Sequence, residues 1–177
     1  MEHERKMTIP GTDLHDAEYY MSFALKEAKK AAALGEIPVG AVIVDPMGKV
    51  IARAHNLTEN HKNATLHAEI VAISKATRKL KAKYLMDCKM YVTLEPCPMC
   101  AAAISHVKLA HLYFAAVDEK GGAVTNGLRI YETCRNLFRP KISQGPLINE
   151  CSKLLTSFFK DIRHKSHFLK KVLLLSL

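Results

Sequence analysis

No apolar run in the sequence approaches the roughly 20 residues that a membrane-spanning helix needs, so a spanning helix is excluded. The final stretch FLKKVLLLSL (168–177) is too short and carries two lysines. It reads as a C-terminal helix or tail packed on the body or on a sister subunit. Met1 to Pro10 is polar and lacks the apolar centre of a signal peptide. Internal repeats and low-complexity linkers are also missing, and 177 residues fit one domain able to bury a full core. Acidic residues are scarce: 17 Asp and Glu stand against 26 Lys and Arg, giving a net charge of +9. That surplus favours a polyanionic partner, nucleic acid before membrane. Five cysteines, an odd number behind no leader, fit a reducing cytoplasm where thiols act as ligands, core residues or nucleophiles.

What is present organises into alternating elements. Apolar residues at Ala17, Tyr20, Met21, Ala24, Ala28 and Ala31 recur at helical spacing, with Asp13 as N-cap and Gly35 as stop. VGAVIVD and KVIARAHN form a hairpin turning at Pro46 to Gly48. Thr65 caps a second helix containing Ile70, Val71 and Ile73. KMYVTL (89–94) is a third strand leading into a short helix that ends near Ser105, and LAHLYFAA (109–116) is a fourth. Asp118 to Pro140 reads as a functional loop with short helical turns, and a weak strand follows near Pro140 to Ser143. Pro146 opens a long final helix with the stripe Ile148, Cys151, Leu154, Leu155, Phe158, Phe159, Ile162. This order implies an α/β fold, a mixed sheet between layers of helices.

Two short motifs carry the chemistry. Pro96-Cys97-Pro98-Met99-Cys100 alone is ambiguous between a redox pair and half of a structural zinc site. TLHAEIV, thirty residues earlier, places His67 and Glu69 two apart, which alone reads as helix surface. Together they supply three zinc ligands, His67, Cys97 and Cys100, leaving a fourth position for water, the catalytic arrangement. Cys97 and Cys100 share a helix face at i, i+3, and Pro98 suits the first helical position. The positive end of that helix favours the thiolates zinc requires. His67 and Glu69 reach one centre only where the second helix is still turning in. Cys88, Cys134 and Cys151 are expected as small buried hydrophobes.

Glu69 is then free for proton transfer. Zinc lowers the pKa of water from about 15.7 to about 7, worth roughly 12 kcal/mol of hydroxide formation. A general acid–base group contributes roughly 3 to 5 kcal/mol. The metal contributes more, so losing a ligand silences the site more completely than losing Glu69.

The His67-Ala68-Glu69 and Pro96-Cys97-Pro98-Met99-Cys100 pair resembles the established signature of the zinc-dependent nucleoside and nucleotide deaminases. Within that superfamily the chain is most similar to the bacterial tRNA-specific adenosine deaminases. The similarity spans about five-sixths of the sequence, through EIPVGAVIV (36–44), Asn56, VTLEPCPMC (92–100), and Phe158-Phe159 with Arg163. The resemblance implies a three-layer α/β/α cytidine-deaminase-like fold with a mixed five-stranded sheet. It implies a deaminase domain over residues 13–165, flanked by tails at 1–12 and 166–177. The implied reaction is hydrolytic deamination of a tRNA wobble adenosine to inosine, with one Zn2+ per subunit and Glu69 moving protons. Asn56 and the backbone at Ala68 would hold the purine. Asp118, Lys120, Phe159 and Arg163 would meet flanking nucleotides of the anticodon stem-loop. A cytoplasmic homodimer is implied as well.

Two positions depart from the family's pattern: Ala115 replaces a common glycine and Lys160 a common arginine. Three function classes stay open. The first is a tRNA adenosine deaminase, and the second a deaminase of a free base or nucleoside of the guanine or cytosine type. The third, a non-enzymatic zinc or RNA-binding module, gains nothing from an acid beside the metal. Net charge and the Phe-Phe…Arg helix favour the first. Phe158 and Phe159 divide between core packing and RNA contact. The basic run Lys75, Arg78, Lys79, Lys81, Lys83 reads first as a solvated helix end.

Overall fold

The computed structural model describes residues 14–175, with side chains described from 16 to 164. The proposed cap Asp13 lies outside the described residues. Helix α1 (Leu14–Ala33) leads into the hairpin β1 (Gly40–Val44) and β2 (Val50–His55), then α2 (Ala68–Leu80). Strand β3 (Lys89–Leu94), helix α3 (Pro98–His106) and strand β4 (His111–Ala116) follow. A single turn α4 (Ile130–Thr133), strand β5 (Lys141–Gln144) and the long α5 (Ile148–Leu175) complete the chain. The five strands form one mixed sheet in the order β2-β1-β3-β4-β5. β1 runs antiparallel to both β2 and β3, while β3, β4 and β5 are mutually parallel.

Alternation along the strands builds two cores. Ala41, Ile43, Met90, Val92, Leu112 and Phe114 face α2 and α3, packing on Val71, Ala72, Ala76, Ala101 and Ile104. Val42, Val44 and Tyr91 face α1 and α5, packing on Met21, Ala24, Cys151 and Leu155. Each such aliphatic side chain contributes about 1.5–3 kcal/mol on full burial, so the central strands are fixed in register by both faces at once. This is the three-layer α/β/α sandwich with a mixed five-stranded sheet.

Several local expectations are met at the level of single residues. Gly35 follows α1 with a φ of 76°, the left-handed conformation that ends a helix. Asp45 closes the hairpin turn by accepting the Met47 and Lys49 N–H groups through Oδ1, each at 2.9 Å. Cys88 and Cys151 are buried, as expected of small hydrophobes, but Cys134 is exposed. It stands just beyond α4, a single turn too short to carry it inward. Lys75, Arg78, Lys79, Lys81 and Lys83 are exposed, as expected of a solvated helix end, and Lys75 and Lys79 also have partners. Their ammonium groups donate to Arg53 O at 3.0 Å and Ile51 O at 3.2 Å, covering carbonyls of the edge strand β2. The backbone of α5 continues as helix to Leu175, through most of the segment read as a tail.

Candidate active site

β3 ends at Leu94, and three residues later Cys97 occupies the N-cap of α3 with Pro98 in its first turn. On the neighbouring element His67 is the N-cap of α2, its backbone extended at φ −67° and ψ 155°. The expected cap, Thr65, is therefore two residues short of the helix. Its hydroxyl donates to Asn63 Oδ1 at 2.7 Å and stays in the loop. The displacement explains the i, i+2 spacing. His67 stands outside the helical repeat while Glu69 lies within the first turn, so both reach one centre at the carboxyl end of β3.

There His67 Nδ1 is 3.6 Å from Cys97 Sγ and 3.5 Å from Cys100 Sγ. Zn–N bonds of about 2.05 Å and Zn–S bonds of about 2.3 Å at a tetrahedral angle put N and S about 3.6 Å apart. All three ligand atoms lie within 4.8 Å of one another, and among the described residues no fourth side chain joins them. The donor set and spacing fit a catalytic zinc with one open position.

Without a cation the sulfurs behave unequally. A hydrogen bond from Cys100 and then one from His67 lower the Cys97 thiol to about 4, despite its burial. The same sharing with Cys97, then burial, pushes Cys100 strongly up. The pair therefore favours a thiolate at Cys97, one of the charges a zinc ion requires. The hydrogen bond to Cys97 raises His67. Glu69 is 3% exposed, and burial pushes its carboxyl up to about 7 against its own backbone N–H.

His67, Glu69 and Cys97 line a cavity of about 220 Å3, whose polar lining also includes Asn56, Thr58, Glu95 and Asp118 and whose α5 wall is Leu155 and Phe159. That is below the roughly 300–1,000 Å3 of drug-sized sites and suits one flat ring system. Asn56 Oδ1 accepts the Ala68 N–H at 2.8 Å, so the Asn56 amide hydrogens are the donors it has left for a ligand. Phe159 borders the cavity, while Phe158 is half-buried against it, ring centroids 5.8 Å apart. Lys120 and Arg163 are exposed and do not line the cavity. Ala115 is fully buried in the α1/α5 core.

The sequence matches the family model for the cytidine and deoxycytidylate deaminase zinc-binding region over residues 14–116. The chain belongs to this family. Among relatives of this deaminase, the tRNA-specific adenosine deaminase of Rickettsia felis is 47% identical over 144 residues, covering 81% of this chain and 100% of the relative. The tRNA-specific adenosine deaminase of Bacillus subtilis is 40% identical over 154 residues, 87% of this chain and 95% of the relative. A solved structure from work on A-to-I editing by tRNA:A34 deaminases at the wobble position superposes with a TM-score of 0.76. It is 41% identical, over 78% of this chain and 99% of that one. Guanine deaminase from Bacillus subtilis matches at 38% identity and a TM-score of 0.54, over 56% of this chain and 64% of that one.

Two carboxylates of this deaminase carry structural duties that the motifs did not assign. Glu95, 2% exposed, accepts the Asp118, Val124, Thr125 and Asn126 N–H groups at 2.7 to 3.1 Å, and the side chains of Thr125 and Asn126. Burial works to raise it, yet the hydrogen bonds from Thr125 and Asn126 outweigh that and hold it low. A Cβ on Gly122 would lie 2.6 Å from Glu95 Cδ, so only glycine lets this loop wrap the carboxylate. Glu36 plays the same part for the loop before His67. Glu36 lies in the loop between α1 and β1, four residues ahead of the strand.

Proposed function

We propose that this deaminase converts the wobble adenosine of a tRNA anticodon to inosine, releasing ammonia. The observation that carries the reading is a buried Glu69 beside the His67, Cys97 and Cys100 donors, at the floor of a cavity sized for one base. The zinc ion, when bound, supplies Lewis-acid activation of water for attack at C6. Glu69 would move one proton from the attacking water to a ring nitrogen, and then the second, from the oxygen newly bonded to C6, to the amine as it departs as ammonia. Burial, which raises the Glu69 carboxyl above the ordinary carboxylate range, favours its taking up a proton as well as releasing one.

Asn56 donates to the purine edge, and Ala68 orients the base by fixing Asn56. Asp118 and Phe159 sit at the cavity mouth, where a flipped nucleotide would enter. Lys120 and Arg163 stand exposed beyond them for flanking phosphates. Arg163 follows Phe159 by one turn of α5, on the same helix face. The +9 net charge supports an RNA partner.

The remaining assignments belong to this proposal too: a homodimer in the cytoplasm, one zinc per subunit, and a deaminase domain over 13–165 with flanking tails. Thiol ligands kept reduced and a tRNA substrate support the compartment. The likeness to guanine deaminase and the small cavity favour a second reading, deamination of a free base. The zinc-loaded protein should be offered an anticodon stem-loop with wobble adenosine alongside free guanine and free cytosine. Conversion of the stem-loop alone supports the RNA reading. Conversion of guanine or cytosine with the stem-loop untouched replaces it with the second.

A further inference from the structure

The loop between β2 and α2 leaves the site at Asn56 and returns at His67, closed by a hydrogen bond from Leu57 N to Leu66 O at 3.0 Å. Its near end is fastened from outside the site. Glu36, with no exposed surface, receives the Thr58 hydroxyl at 2.9 Å and the Glu59 N–H at 3.1 Å through Oε2. Through Oε1 it receives the Asn60 N–H at 2.8 Å and the Asn60 side-chain amide at 2.9 Å. Four donors from three consecutive residues thus meet one carboxylate from a different segment. Hydrogen bonds to a charged group are the stronger kind, and together they define one loop position.

Thr58 is where this fastening reaches the substrate space. It lines the base-sized cavity together with His67, and both also line an open outer groove of about 440 Å3 with Glu59, Lys62, Asn63 and Ala64. Thr58 is therefore the ridge between the two. Its hydroxyl hydrogen is committed to Glu36, so the oxygen can act toward a ligand only as an acceptor. His67 has a separate anchor, its carbonyl accepting the Val71 N–H at 3.0 Å in α2. Loosening the loop can thus disturb the ridge without dismantling the metal ligands.

We propose that Glu36 is a positioning residue for substrate binding: it fixes the Thr58 ridge and makes Thr58 a one-way acceptor for a donor group of the incoming nucleotide. The inference deepens the RNA-deaminase reading and rests on it for the identity of the ligand. Ionised Glu36 fits the part. Burial alone would raise its carboxyl, but hydrogen bonds from Asn60, Glu59 and Thr58 outweigh that and hold it at about 2.

The test compares wild type, Glu36→Gln, Thr58→Val and Thr58→Ser as zinc-loaded proteins. Readouts are zinc content, amide hydrogen exchange, and KM and kcat on the anticodon stem-loop. A glutamine places a donor where Glu36 accepts, so exchange at Glu59 and Asn60 should quicken about tenfold or more. KM should rise about tenfold or more while zinc stays at one per chain. Thr58→Val should share the rise in KM, and Thr58→Ser, which keeps the hydroxyl, should recover most of it. Retained protection with unchanged KM in Glu36→Gln overturns the proposal. So does a loss that appears only in the folded or zinc-loaded fraction, which marks a merely structural role. If Glu36→Gln does not fold, equal KM values for the valine and serine variants overturn it. A wild type inert on the stem-loop would instead defeat the RNA reading, and the exchange measurement would still decide whether Glu36 holds the loop.

Discussion

Asn56 and Ala68 are joined by a 2.8 Å hydrogen bond from the Ala68 N–H to the Asn56 side-chain oxygen, inside the protein. The bond ties the exit of β2 to the first turn of α2 and satisfies an N–H that the helix itself cannot. Asn56→Ala would leave that buried donor without its partner, at a cost of about 1–3 kcal/mol. It would also remove the amide proposed to meet the purine edge. Urea unfolding should show a loss in this range, and kcat/KM should fall about 100-fold or more, beyond what the lost bond alone explains.

The three-donor cluster makes metal loss measurable in two ways. His67→Ala, Cys97→Ala and Cys100→Ala should each purify with little zinc and form no detectable inosine. In the metal-free chain Cys100 keeps its proton, so zinc uptake releases it, and zinc affinity should weaken as pH falls. Competition titrations against a chelator at several pH values check this. Chelating the wild type should lower its melting temperature, and added zinc should restore it.

Much of this architecture was legible because it is periodic or local. The stripe of α1 encodes its buried face directly, and the near-continuous apolar runs of β1 and β3 mark strands covered on both faces. The Pro-Cys-x-x-Cys motif carries its own helix start in Pro98. Thr65 misled because a threonine before an apolar run is a common capping signal, while the observed cap, His67, bonds no backbone N–H with its side chain. Glu36 and Glu95 stayed hidden for a different reason. Each grips a loop more than twenty residues away, and such pairing leaves no spacing in the sequence to read.

Glu36 also predicts a limb of the acid stability curve. Its carboxyl is held at about 2 in the fold against an ordinary 4.5. The unfolded chain therefore takes up the proton first. The stabilisation is complete above about 4.5 and is lost as pH falls toward 2, by up to about 3 kcal/mol. Urea midpoints measured at pH 6 and pH 3 should converge for wild type and Glu36→Gln as the solution is acidified. A constant gap between them would contradict the assignment.

Binding of the anticodon stem-loop should weaken with salt. A contact that neutralises three phosphates costs roughly tenfold or more in affinity between about 50 and about 200 mM salt. Fluorescence anisotropy across that range, with Lys120→Ala and Arg163→Ala alongside, should give a shallower slope for each variant. Equal slopes for all three proteins would remove these two side chains from the interface.

Glu69 bears the central claim, since its carboxylate is the group assigned to move protons while the three donors hold the metal. The decisive measurement is inosine at the wobble position of an anticodon stem-loop, read by sequencing, for wild type and Glu69→Ala at matched zinc content. Wild type should convert the adenosine. The variant should bind zinc and RNA normally and lose at least the 10²- to 10⁴-fold typical of a missing acid–base group. Near wild-type conversion by Glu69→Ala would contradict the account.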